Sequence, residues 1–305
     1  MNKYRGFQNG WWIILITLCV MYITTLLFIL IPSSTEFYSV CNGLSLAIPI
    51  FVGLVMINSE KEKDKLSEML GIRRFSLKIL PFLIIIAPCA QLFSNVVFAA
   101  PNAVSSFLFG AVDYDDLLQG TGVNSVLTNF VVICVLAPLF EEILCRGILM
   151  HLFRHYGVAS MLVFSSLAFS ILHQSAALLL PTFFLGLLIG IVRITTGSVF
   201  ASMIVHSANN LFSLIILYSG DMNVLAEILL IISGVVLFPI LMYRYLIKYT
   251  NNVNADKLNR PNKSNPGISA GLILCCLFCF IYNISMLVIR LFSGEMFYEL
   301  STYFR

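Results

Sequence analysis

Residues 129–153, NFVVICVLAPLFEEILCRGILMHLF, form a long apolar run that contains two adjacent carboxylates, Glu141 and Glu142. One charge at the centre of a membrane helix costs about 2.5–3.5 kcal/mol on insertion scales, so a pair indicates a function or an ionic partner. Side chains four residues apart share a helix face, and we therefore expect Glu142 to pair with Arg146. Glu141 is directed to another face, where it is left for chemistry.

The composition predicts an all-α, polytopic bundle of transmembrane helices. Of the 305 residues, 59% are hydrophobic and only 11% are charged, which excludes an ordinary soluble domain. A span needs about 20 mainly apolar residues, and about nine stretches qualify. They are 11–31, 38–57, 79–99, 124–150, 158–174, 178–196, 198–219, 225–247 and 267–290. We divide the chain into N-terminal membrane helices at 1–120, a core region at 121–220 and C-terminal membrane helices at 221–305.

The distribution of basic residues predicts the topology. If these spans alternate, almost all Lys and Arg outside the membrane fall on one side, which is then cytoplasmic together with the N-terminus. The opposite loops, 32–37, 100–123 and 220–224, contain neither Lys nor Arg. No small-residue cleavage site follows the first apolar run, so we interpret it as a retained span. The net charge of +3 is mostly a consequence of topology and indicates no nucleic-acid partner.

Further polar side chains lie inside the predicted spans of the core region. His173 ends one span, and His206 and Asn210 share a face of another because they are four residues apart. Each needs a partner in a lipid environment. Glu141 and His173 are equally far along the chain from the turn at Gly157, so an antiparallel hairpin places them at similar depth. We expect one carboxylate, two imidazoles and an amide to converge.

At these residues the chain resembles the CAAX protease and bacteriocin-processing (CPBP, or Abi) family of intramembrane proteases. The family motifs EExxxR, FxxxH and HxxxN match in order, over about residues 124 to 215. The matching positions are Glu141, Glu142 and Arg146, then Phe169 and His173, then His206 and Asn210. The resemblance implies that the core region is catalytic and that Glu142, Arg146 and Phe169 support the site.

The residue types suit peptide hydrolysis, which needs an activated water, a proton carrier and donors for the oxyanion. We assign Glu141 as the general base. His173 is expected to hold or polarise the water, and His206 with Asn210 to bind the oxyanion or the substrate carbonyl. The implied activity is that of a glutamate-dependent, metalloprotease-like endopeptidase.

A catalytic zinc bound by His173, His206 and Glu141 is the alternative, since two imidazoles and a carboxylate with an open position also form a zinc site. The HExxH motif is missing, and no cofactor is firmly implied. His151 and His155 have an i, i+4 spacing, but they flank Arg154 at the predicted cytoplasmic end. For these two we predict a solvated interface. The Gly186/Gly190 pair predicts close helix packing.

Two other function classes stay open at this stage. A proton-coupled transporter could use the same Glu, His and Arg side chains, although no internal repeat supports it. A non-catalytic scaffold or bacteriocin-immunity protein is a role that the family resemblance also implies. Motifs of rhomboid-type and aspartyl intramembrane proteases, GxSG and GxGD, are missing. The partners we expect are the lipid bilayer and a small peptide or membrane-anchored protein substrate. Because no organellar targeting signal is apparent, we expect a bacterial plasma membrane.

Overall fold

A computed structural model of the chain describes residues 3–30, 37, 40–41, 44–58, 65–110, 123–219, 223–250 and 270–293. Within these ranges the secondary structure is helical and contains no strand, which confirms the all-α, polytopic fold class. The helices are α1 (Lys3–Leu30), α2 (Ala47–Asn58), α3 (Leu80–Val97), α4 (Ala99–Phe109), α5 (residues 123–153), α6 (Val158–Leu172), α7 (Leu179–Thr196), α8 (Val199–Tyr218), α9 (Val224–Thr250) and α10 (Ala270–Ser293).

Each predicted span overlaps one of these helices. In the described ranges six helices are long and apolar enough to cross a membrane, and three apolar helices are shorter, at Ala47–Asn58, Val158–Leu172 and Ala270–Ser285. The number of spans, about nine, therefore stays a prediction. One expectation is wrong in part, because the predicted loop 100–123 begins with helix α4. Helix α4 escapes an apolarity search because it is short and carries Asn102, Ser105 and Ser106.

Helix α5 lies at the centre of the bundle and contacts α1, α2, α6 and α8. Helix α6 packs along α7, while α3 packs against both α8 and α9. Helix α10 returns to pack on α1. Long apolar helices in antiparallel contact bury their polar positions between them, so α5 to α8 enclose the polar residues of the core region.

The crossing of α6 and α7 depends on glycine. A Cβ at Gly186 would lie 3.1 Å from Cα of Ser166 and 3.3 Å from Cδ1 of Phe169, which is tighter than ordinary packing. At Gly190 it would overlap Cδ1 of Leu162. The close packing predicted for this pair is confirmed, and it brings Phe169 into the interior against α5 and α8.

Several basic segments lie at one end of the bundle. The backbone N–H of Val199 donates to the carbonyl of Gly71, 2.9 Å away, so the segment 65–79 lies against the start of α8. The hydroxyls of Thr195 and Tyr245 are in contact at the same end. The structure thus brings Arg73, Arg193 and the end of α9 together, as the charge pattern predicts. Which side of the membrane this end faces stays a prediction.

Candidate active site

The two glutamates lie in a short α-helical segment between two π-helical stretches of α5. The order along the helix is Val123–Asn129 (α), Phe130–Leu136 (π), Ala137–Glu142 (α), Ile143–Leu149 (π) and Met150–Phe153 (α). Wider turns of this kind are rare and occur frequently at functional sites. They change the direction in which successive side chains leave the helix, so that both glutamates reach the bundle interior.

Proline explains where the first π-helical stretch ends and why Asn210 is needed. The N–H of Ala137 bonds the carbonyl of Val132, five residues back. In this register the carbonyl of Ile133 would pair with residue 138, but Pro138 has no N–H to donate. The side-chain amide of Asn210 donates to that carbonyl instead, at 2.8 Å. Asn210 therefore supplies a donor for a partly buried backbone carbonyl that Pro138 cannot pair.

Glu142 and Arg146 form the predicted pair, and both side chains are completely buried. Nη1 of Arg146 lies 3.2 Å from Oε1 of Glu142, and Nη2 donates to the carbonyl of Gly186 at 3.0 Å. The guanidinium carbon lies 4.5 Å from the centre of the Phe169 ring. The pair thus connects α5 to α6 and α7. Each of the two buried charges has the other as its partner.

His206 joins this pair, a contact that the sequence did not predict. Its Nδ1 lies 3.0 Å from Oε1 of Glu142, the same oxygen that Arg146 contacts. Because a carboxylate accepts hydrogen bonds, the Nδ1 atom of His206 carries the proton in this arrangement. Glu142 consequently fixes the orientation of the imidazole and directs Nε2 away from the ion pair.

Glu141 faces that other nitrogen. Its Oε2 lies 4.0 Å from Nε2 of His206, and its side chain is 19% exposed. Oε2 is buried, yet it accepts no hydrogen bond from the residues that the structure describes. The unpaired oxygen and the imidazole nitrogen therefore face each other at a separation longer than a direct hydrogen bond.

His173 reaches the site through an aromatic contact. It follows the last residue of α6, and its Nδ1 donates to the carbonyl of Phe169 at 2.9 Å, which leaves Nε2 for chemistry. The Phe169 ring makes edge-to-face contacts with both imidazoles, at centroid distances of 4.9 Å to His173 and 5.3 Å to His206. Phe169 therefore separates the two histidines and also covers Arg146.

The structure brings some of the expected residues together more closely than others. Glu141, Glu142, Arg146 and His206 form a contiguous cluster, and His173 is joined to it through Phe169. Asn210 is engaged by the backbone of α5 rather than by another expected site residue. The sequence contained one indication of the contact between Glu142 and His206. Each motif supplies a buried polar group, and buried polar groups require partners.

The zinc alternative stays a prediction. No group of three His, Cys, Asp or Glu side chains within the described ranges is placed to hold a metal ion. His206 and His173 use Nδ1 for Glu142 and for the carbonyl of Phe169, and both Nε2 atoms stay open, as they also are in histidines that bind metals. The expected solvated interface at His151 is wrong, because this side chain is only 7% exposed and lies within the core.

An apolar groove of about 470 Å³ lies between helices that carry the cluster. The groove lies between α3, α5 and α8. Its lining includes Leu139, two residues before Glu141, and Ser207, directly after His206. The other lining residues are almost all apolar: Ile84, Phe130, Cys134, Val135, Met203, Ile204, Ala208 and Leu211. Several of these side chains are exposed on the helix exterior, so the groove opens toward the bilayer.

Comparison with known proteins finds one family that is similar to this segment. Residues 123–212 match the family described as "Type II CAAX prenyl endopeptidase Rce1-like". The match includes every residue of the cluster and confirms the resemblance to the CAAX protease and bacteriocin-processing family. No curated protein and no solved structure matches the chain.

Proposed function

We propose, from the family that residues 123–212 match, that the protein is an intramembrane endopeptidase of the CAAX protease type. One observation carries the catalytic assignment: a buried, unpaired carboxylate oxygen of Glu141 faces Nε2 of His206, 4.0 Å away. A general base must have an acceptor free for the proton that it removes. Glu142 also has an unpaired oxygen, Oε2, but its Oε1 is held by Arg146 and His206 and its side chain is completely buried. Glu141 is 19% exposed, so it is the carboxylate that a water molecule can reach.

The proposed reaction uses a water molecule bound beside Glu141. Glu141 takes a proton from the water as the water oxygen bonds to the substrate carbonyl carbon, and the carbonyl electron pair moves to oxygen. The resulting oxyanion collapses, the carbon–nitrogen bond breaks, and Glu141 returns the proton to the leaving amine. The same carboxylate thus acts first as a base and then as an acid.

The neighbouring polar groups have distinct proposed roles. Nε2 of His173 is not engaged by its helix and can accept the second hydrogen of the water, which holds the lone pair toward the substrate. Nε2 of His206 donates to the oxyanion, and Glu142 holds the imidazole in the required orientation through Nδ1. The side-chain amide of Asn210 donates one hydrogen to the carbonyl of Ile133, and its second hydrogen is available for the substrate oxyanion.

We further propose a small peptide or membrane-anchored substrate in a bacterial plasma membrane, with the N-terminus of the enzyme in the cytoplasm. The groove between α3, α5 and α8 supports an anchored substrate, because its apolar walls are exposed on the outside of the bundle and include Leu139, two residues before Glu141. The apolar part of an anchored substrate can lie there while the peptide bond reaches the carboxylate. Binding energy gained along the groove would position the bond for attack.

Comparative peptidomics tests the proposed function. We expect cells that carry Glu141→Gln to accumulate one or more uncleaved membrane-associated substrates and to lack the matching products found with the wild-type chain. The control is Glu227→Gln, the same substitution at an exposed glutamate in the first turn of α9. Identical peptide profiles for the wild type and Glu141→Gln would contradict an endopeptidase that depends on Glu141.

Chelation tests the proposed metal-free reaction. Because the described side chains offer no three-ligand site, we expect the purified enzyme to keep its hydrolytic rate in a strong chelator. The measurement is the initial rate on a substrate identified by peptidomics, before and after dialysis against the chelator. Loss of activity that added zinc restores would show that the histidines rearrange to bind a metal.

A further inference from the structure

A second site is indicated at the basic end of the bundle, away from Glu141. Arg193 lies in the last turn of α7, and its side chain is partly buried. The Nε atom is fully buried and has no hydrogen-bond acceptor among the described residues. No ion pair joins this guanidinium to a carboxylate in the described ranges. Arg193 is therefore a partly desolvated cation, and those ranges supply no anionic partner for it.

The chain is shaped around this guanidinium. Gly71 has a φ of +70°, which favours glycine, and a Cβ at this position would overlap the Arg193 guanidinium and displace it. The segment is fastened by two hydrogen bonds to the start of α8. Val199 N–H donates to the carbonyl of Gly71 at 2.9 Å, and the hydroxyl of Ser198 donates to the carbonyl of Arg73 at 2.6 Å.

The surroundings are positively charged. Arg73 is close enough to Arg193 for the two guanidinium charges to repel. The N-terminus of α8 lies beside Gly71 and adds the positive end of a helix dipole. The C-terminus of α7 offsets part of the Arg193 charge, but it contributes no hydrogen bond to the guanidinium. Glu68 lies 3.9 Å from Arg73, and both side chains of that pair are largely exposed.

We propose that Arg193 and Arg73 bind a phosphate group above Gly71, and that an anionic lipid headgroup supplies it. Guanidinium groups match phosphate oxygens in geometry and charge, and basic pockets between membrane helices bind anionic headgroups. Two apolar side chains favour a lipid over free phosphate. Ile72 and Leu77, on the same segment as Arg73, are exposed to 46% and 72% and can contact an acyl chain.

Titration of the full-length protein with lipid tests this site. In zwitterionic detergent, we expect phosphatidylglycerol to raise the unfolding temperature by a few degrees and to appear as bound lipid in native mass spectra. Phosphatidylcholine should do neither. If inorganic phosphate alone gives the same rise, the site takes free phosphate and the lipid assignment is overturned. If phosphatidylglycerol produces no change in the wild type, the site itself is overturned.

Variants identify the responsible side chain. Arg193→Met keeps much of the packed stem without the charge, and it should unfold at a higher temperature than the wild type in lipid-free detergent while losing the response to phosphatidylglycerol. Arg73→Gln, at an exposed position, should fold normally and weaken the response. Arg74→Gln is the matched control on the same segment and should respond like the wild type. An unchanged lipid response in both Arg193→Met and Arg73→Gln would contradict the proposal.

Discussion

Replacing Glu141 by glutamine is expected to lower the rate of peptide hydrolysis by a factor of about 10²–10⁴, the usual contribution of a general base, while the protein still accumulates. Glutamine preserves the size of the side chain and its capacity to accept hydrogen bonds. It cannot take a proton from water. Initial rates on an identified substrate, together with the amount of protein extracted from membranes, measure both parts of the expectation.

Glu227→Gln should leave the rate and the amount unchanged. Residues that act as one unit are strongly non-additive, so adding His206→Ala or His173→Ala to Glu141→Gln should lower the residual rate little further. Full activity of Glu141→Gln would remove this residue from the role of base. If the rate in a double variant falls by the product of the two single losses, the histidine does not act on the water held by Glu141.

Glu142→Gln is expected to reduce stability as well as activity. This change leaves the buried guanidinium of Arg146 without its anion, and breaking a buried pair in this way costs about 3–5 kcal/mol. It also removes the acceptor that holds Nδ1 of His206. Thermal unfolding in detergent and the yield of folded protein, compared with Glu141→Gln, measure the difference. Equal stability of the two variants would contradict the division of roles between the adjacent glutamates.

A compensated variant separates the two effects of Glu142. Combining Glu142→Gln with Arg146→Met removes both charges, so much of the lost stability should return. Activity should stay low, because His206 has still lost its ionised acceptor and its preference for one orientation. Recovery of both stability and activity would indicate that Glu142 serves only to neutralise Arg146.

Much of the fold follows from the sequence because hydropathy is a local property. A run of apolar residues long enough to span the bilayer must be helical, since its backbone groups have to be paired within the segment. The positions of α1 to α3 and of α5 to α10 are therefore visible without a structure. Charges inside those runs are costly, and this cost is what made the motif residues identifiable as a site. Helix α4 escaped prediction because its polar residues remove the hydropathy signal.

The sequence by itself determined the helical class, the residues of the candidate site and the pairing of Glu142 with Arg146, since a helix places residues four apart on one face. Only the tertiary structure decided which contacts cross between helices. It showed that His206 binds Glu142, that Asn210 supplies the hydrogen bond that Pro138 cannot, and that Arg193 lies over Gly71. Such contacts depend on the rotation and close approach of neighbouring helices, which residue spacing along one chain does not specify.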